Sequence, residues 1–121
     1  MIELVSQERC IGCDVCIRVC PTNVFERGED RIPVIVRQED CQTCFMCEAW
    51  CPVDALFVAP LTEPAPADSI YHDEHELVAS GLLGSYRREL GWGKGQRPTA
   101  QQDESFRVLA ALSGPAPQPL R

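Results

Sequence analysis

The eight cysteines of this chain all lie between Cys10 and Cys51, in two runs with one rhythm. Arg9 to Pro21 reads RCIGCDVCIRVCP, and Asp40 to Pro52 reads DCQTCFMCEAWCP, displaced by 31 residues. The displacement brings Glu8 onto Glu39, Cys10 onto Cys41, Cys13 onto Cys44, Cys16 onto Cys47, Cys20 onto Cys51 and Pro21 onto Pro52. Repetition of this kind points to two copies of one supersecondary unit around a pseudo-twofold axis. In each copy a short apolar strand leads in (2–5; 34–36) and a cysteine loop follows. About two helical turns come next (15–20; 46–51), then a return strand (24–26; 55–58). Proline after Cys20 and Cys51 denies the preceding residue helical geometry and the next turn its N–H, so each helix stops at its fourth cysteine.

Thiols at this density mark either the disulfide scaffold of a secreted chain or a metal site in a reducing compartment. The opening MIELVSQERC has no basic region followed by an apolar run, and no segment reaches the roughly 18 apolar residues of a membrane span. The chain therefore reads as cytoplasmic, with its thiols reduced and available to metal. Two zinc sites would show paired C-x2-C knuckles and would use neither the third closely spaced cysteine nor the proline. Three thiolates on a tight C-x2-C-x2-C loop, with backbone N–H groups turned inward, suit a compact inorganic cluster carrying negative charge. The fourth cysteine, three residues and a helical turn further on, cannot easily close on the same cluster.

In both motifs and in their doubling, residues 1–60 resemble a bacterial-type two-cluster ferredoxin, in which the fourth cysteine of each run ligates the other cluster. Carried onto this sequence, the resemblance implies one 4Fe-4S cluster on Cys10, Cys13, Cys16 and Cys51 and a second on Cys41, Cys44, Cys47 and Cys20. It also implies an α+β fold of pattern βαββαβ and the role of an electron carrier. Full ligation by thiolates agrees with that role, since it leaves no iron open to a substrate; the chain is read as an electron-transfer protein and not as a catalyst. The crossed ligation ties the halves together where a module of about sixty residues can barely build a core. Ile11, Val15 and Pro33 are placed to keep water from the clusters. Trp50, beside Cys51, is either a packing residue or an electron exit toward a partner, and Asp14, Glu48 and Asp54 read as solvated charges.

Seven of the ten prolines lie at or after Pro60, and the stretch 60–68 reads as a stiff connector. The boundary near Pro60 divides the chain into a dicluster module, 1–60, and an extended tail, 61–121. The net charge of −7 excludes a nucleic-acid partner, because binding phosphates needs a basic surface. Ten acidic residues against five arginines make the module the more acidic half, steered toward a basic patch on a protein partner.

In the tail, Val78, Leu82, Tyr86 and Leu90 fall at steps of four and predict one helical stripe, which Gly81 and Gly84 weaken by about 1 kcal/mol each. Thr99 and Gln102 after Pro98 form a capping box for a second helix, running through Phe106, Leu109, Ala110 and Ser113 to a stop at Gly114 and Pro115. The loop GWGKG at 91–95 lacks the preceding strand of a phosphate-binding site. His72 and His75 read as surface residues near a helix start.

Two such helices cannot bury Leu77, Leu82, Leu83, Tyr86, Leu90, Trp92, Phe106 and Leu109 on each other. The tail is read as wrapping a larger subunit through these residues, with docking on its own module as the alternative. The architecture is similar to the small subunit of the adenylylsulfate reductase family, where a two-cluster module and a long C-terminal arm embrace a flavoprotein of the fumarate reductase type. Here Cys10 to Cys20 is compact, without that family's insertion between ligands, so substrate identity does not carry over. What the resemblance implies is a heteromer in which this chain relays electrons to or from FAD on a catalytic flavoprotein partner. The competing reading is a free, diffusible ferredoxin with a C-terminal extension.

Overall fold

The computed structural model describes residues 1–92, 104–112 and 114. In the cysteine-rich half, strand β1 (Ile2–Val5) is followed by helix α1 (Val15–Val19), strands β2 (Phe25–Arg27) and β3 (Pro33–Ile35), helix α2 (Met46–Trp50) and strand β4 (Leu56–Val58). Two separate antiparallel pairs result, β1 with β4 and β2 with β3. The shift of 31 residues carries α1 onto α2 (Val15 to Met46) and β2 onto β4 (Phe25 to Leu56), and so exchanges one pair for the other. That exchange is what a twofold relation between the halves requires. Each helix ends at a cysteine in extended geometry, Cys20 (φ −61°, ψ 119°) and Cys51 (φ −71°, ψ 114°), the conformation that a following proline imposes.

The halves differ on their outer faces. Strand β2 reads Phe-Glu-Arg, with Phe25 buried and Glu26 and Arg27 exposed. Strand β4 reads Leu-Phe-Val and is buried on both sides. Leu56 and Val58 face the core beside the cysteines, whereas Phe57 and Ala59 face a second apolar cluster with Leu77 and Leu83. A strand covered on both faces reads as an unbroken apolar run, as Ala55 to Ala59 does.

The cover comes from the chain's own tail, in helices α3 (Glu74–Ala79) and α4 (Ser85–Glu89). Leu77 is fully buried, Leu82 packs against the same cluster, Tyr71 lies on Phe57 with ring centroids 5.4 Å apart, and Tyr86 lies on Phe45 at 4.7 Å. Of the residues expected to meet a partner, Leu77, Leu82 and Leu83 thus lie against Phe57 and Ala59 of the module, the alternative arrangement of the sequence reading, and Tyr86 lies against Phe45. Leu90 is half-buried, and Trp92 is 42% exposed with its ring edge-on to Trp50. The last helix, α5 (Ser105–Leu112), presents exposed Val108 and Leu112. The side chains of Phe106, Leu109 and Ala110 lie outside the described residues, as do the capping pair Thr99 and Gln102, the loop residues 93–95, Ser113 and Pro115.

The single stripe expected over 78–90 is broken into two helices. Gly81 (φ 74°) and Gly84 (φ 78°) take left-handed backbone between them, and the N–H groups of Leu82 and Leu83 close the turn on the carbonyl of Leu77. A side chain at Gly81 would meet open space, whereas a Cβ on Gly84 would fall 2.6 Å from Cγ of Asp54. Gly81→Ala is therefore expected to cost about 1–2 kcal/mol of backbone strain, and Gly84→Ala more than that, since Asp54 must also move. Denaturant unfolding of the two variants measures the difference, and equal losses would contradict the close approach.

Polar clasps hold the tail to β1. Ser6 Oγ donates to Glu74 Oε1 at 2.5 Å, and Glu3 accepts from the Ala65 N–H at 2.7 Å while pairing with His72 Nε2 at 2.7 Å. The hydrogen bond that the His72 ring donates to the Glu3 carboxylate raises the pKa of His72 above 6.5. Its contribution is fully present below pH 6.5 and fades as pH rises through the raised value. At a partly exposed site the effect is small. Limited proteolysis of residues 61–79 should thus be slower at pH 6 than at pH 8, and His72→Gln should abolish the difference.

Candidate metal centres

The two cysteine loops share one unusual backbone. Gly12 (φ 68°) and Asp14 (φ 62°) are left-handed in the first, and Thr43 (φ 52°) and Phe45 (φ 61°) occupy the same places in the second. Left-handed residues alternating with ordinary ones turn successive N–H groups inward, making a concavity that favours negative charge. For a β-branched residue such as Thr43 this conformation is strained. Its hydroxyl donates to the carbonyl of Leu61 at 2.9 Å, which fixes the loop to the start of the tail.

Each loop faces a cavity. Cys10, Cys13, Cys16 and Cys51 line one, walled by Ile11, Val15, Pro33, Val53 and Leu56. Cys20, Cys41, Cys44 and Cys47 line the other, walled by Ile2, Pro21, Val24, Phe25, Phe45 and Val58. All eight cysteines are free thiols. Among the described residues no three side chains of His, Cys, Asp or Glu converge on a point that would hold a single metal ion. The thiols instead surround a volume, an arrangement suited to a multi-atom cluster rather than to one zinc ion.

Donors are aimed at the sulfurs. The N–H groups of Gly12, Ile2 and Ala55 reach Cys10 Sγ at 3.4 Å, Cys41 Sγ at 3.3 Å and Cys51 Sγ at 3.2 Å, and the Thr22 hydroxyl lies 3.5 Å from Cys20 Sγ. Such bonds stabilise thiolate, whereas burial opposes it. Burial pushes the Cys16 thiol up to about 11 and raises Cys47 and Cys51 as well. Loading these sites with a cationic group must therefore release protons, and so is favoured as pH rises. Four soft donors around an apolar cavity, with amide hydrogens on the sulfurs, fit an iron-sulfur cluster in each site.

Ile11, Val15 and Pro33 all line the first cavity, with Ile11 at its outer side, 64% exposed. Trp50 does not line it; the ring is 48% exposed and stands edge-on to Trp92 at 5.2 Å. The reading of three solvated acids is corrected. Glu48 is 1% exposed, its Oε2 accepts from the Val58 N–H at 3.0 Å, and burial pushes its carboxyl up to about 7. Asp14 pairs with Arg27, and Asp54 is half-buried against Gly84. Arg87 is a residue that sequence reasoning missed: its Nη1 donates to the carbonyl of Cys51 at 2.6 Å. Nothing in the local sequence of α4 signals this contact, which follows from docking of the tail.

Two crossed sets of four thiols in this small α+β frame define an iron-sulfur protein of the dicluster class. The family model described as the 4Fe-4S dicluster domain matches residues 9–55. A ferredoxin of Methanothermococcus thermolithotrophicus is 36% identical over 56 residues, which is 45% of this chain and 92% of that protein. An uncharacterized ferredoxin of Methanocaldococcus jannaschii is 42% identical over 62 residues, 50% of this chain and 98% of its own length. The chain belongs to the 4Fe-4S dicluster ferredoxins. A similar segment, 38% identical over 52 residues, makes up 10% of an archaeal-type glutamate synthase (NADPH) of Dehalococcoides mccartyi and covers 43% of this chain. No solved structure matches this chain.

Proposed function

We propose that this chain is an electron carrier that holds one 4Fe-4S cluster on Cys10, Cys13, Cys16 and Cys51 and another on Cys20, Cys41, Cys44 and Cys47. The observation that carries the reading is that each cavity takes three thiols from one motif and its fourth from the other. When bound, each cluster supplies one-electron transfer. The chain's residues do the rest: four thiols per site leave no coordination position for a substrate, N–H groups stabilise the sulfurs, and apolar walls exclude water. Cys13 and Cys44, the middle thiol of each motif, are exposed, which gives each site a short path to the surface.

The free, diffusible carrier is the form that the packing favours. Tyr71, Leu77, Leu82 and Leu83 pack against Phe57 and Ala59, so these side chains need no partner to cover them, although Val78 stays 46% exposed. A dedicated subunit of a flavoprotein oxidoreductase, with FAD on the partner, would hold on through α5, where Val108 is 60% and Leu112 80% exposed. Among the described residues no helix is long and apolar enough to cross a membrane. A reducing cytoplasm suits thiols that must stay unpaired until loaded.

Iron and acid-labile sulfide analysis of anaerobically prepared protein tests the cofactor, with about eight irons per chain expected. Zinc in their place would end the proposal. Size and absorption of the native material tell the two forms apart. A monomer without a flavin band supports the free carrier, and a stoichiometric complex with flavin supports the subunit.

A further inference from the structure

The repeat makes the two sites alike in their motifs, but the tail touches them unequally. Arg87, on α4, is half-buried, and its guanidinium makes one bond at the Cys51 end of α2 and one within the tail. Nη1 donates to the Cys51 carbonyl at 2.6 Å, and Nε donates to the carbonyl of Trp92 at 3.2 Å. Trp92 in turn closes edge-on over Trp50, the residue before Cys51. At the corresponding position of the other half, Cys20, the recorded side-chain contact is the neutral hydroxyl of Thr22. Among the described residues no arginine or lysine is recorded on the Cys20 carbonyl.

We infer that Arg87 is an electrostatic positioning residue that raises the reduction potential of the cluster ligated by Cys51 and leaves the other cluster unchanged. The inference rests on the two-cluster reading above. Reduction adds one negative charge to a cluster. A fixed cation hydrogen-bonded to the carbonyl of a ligating cysteine stabilises that charge, and net charge and hydrogen bonding around the ligands set the potential. Two carboxylates bear on the same site from other elements: Asp14, which pairs with Arg27, and Asp54, packed against Gly84. The claim is therefore about what changes when the Arg87 charge is removed, not about which cluster has the higher potential. No bond forms or breaks; the residue biases a one-electron equilibrium whose electron comes from the redox partner.

The full chain, loaded with both clusters, is titrated potentiometrically with detection by electron paramagnetic resonance. Arg87→Gln is expected to move one of the two waves to more negative potential, lowering the ratio of reduced to oxidised cluster about tenfold at fixed potential, or about 59 mV for one electron. The moving wave should be the one whose spectrum Cys13→Ser alters. Arg87→Lys should restore most of the shift, and high salt should narrow the difference between the unsubstituted chain and Arg87→Gln. Trp92→Ala keeps the cation and reports the entry of water alone, so it should not reproduce the negative shift. No shift, equal shifts of both waves, or a shift of the wave that Cys44→Ser alters would overturn the inference while the two-cluster reading stands. Iron well short of about eight atoms in the unsubstituted chain would instead remove the reading and the inference with it.

Discussion

Replacing Cys51 with alanine is expected to empty the site of the first motif, although Cys51 belongs to the second. About four of about eight irons should remain, held by Cys20, Cys41, Cys44 and Cys47. Cys20→Ala should do the reverse and spare the site lined by Cys10, Cys13, Cys16 and Cys51. Pairs of substitutions make the assignment strict, because residues of one site fail together and residues of different sites fail additively. Cys51→Ala with Cys13→Ala should lose no more iron than either change alone. Cys51→Ala with Cys44→Ala should lose nearly all of it. If Cys51→Ala with Cys47→Ala behaved as a single-site loss, the crossed ligation would be wrong. Either single loss also removes a tie between the halves, so the loaded chain should melt earlier in both variants.

The second large effect concerns the tail. Leu77 is fully buried with Phe57, Ala59 and Leu83, and Leu77→Ala is expected to cost about 2–5 kcal/mol. Set against a typical stability of about 5–15 kcal/mol, such a loss leaves little margin. Deleting residues 61–121 should be more damaging, since it bares Phe57 and Ala59 and also removes the clasps on Glu3 and Ser6. Leu112→Ala on α5, where the side chain is exposed, should stay within about 0.5 kcal/mol. Thermal unfolding of the loaded chain, with no partner present, is the measurement. Were Leu77→Ala neutral there yet disruptive to a complex, the partner-wrapping arrangement would return.

How much of this was legible in the sequence depends on the range of the interactions concerned. The helices after the cysteine loops and the first and last strands follow from local rules: proline stops at Pro21 and Pro52, and apolar runs at 2–5 and 55–58. Their observed edges differ from the expected ones by a residue, as helix and strand ends do. The left-handed residues were not legible, because Asp14, Thr43 and Phe45 are not glycines and their conformation comes from the loop that surrounds them. The docking of part of the tail on the module was legible only as an alternative, for a different reason. Helical spacing in 78–90 was weighed without asking what covered the outer face of 55–59, an uninterrupted apolar run. The polar counterpart at 25–27, Phe-Glu-Arg, needs no cover, and comparing the two copies would have exposed the asymmetry. Glu48 was misplaced with the same error, being solvated only on a module that has no tail upon it.

Strands β1 and β4 are partners, and the backbone nitrogen of Met1 donates to the carbonyl of Leu61 at 2.7 Å. The polypeptide thus leaves the dicluster unit at the spot where it entered. A unit with adjacent entry and exit can be spliced into a host chain through short connectors without prying the host apart. That geometry gives a physical reason why a similar segment can make up one tenth of a glutamate synthase as readily as nearly the whole of a small ferredoxin.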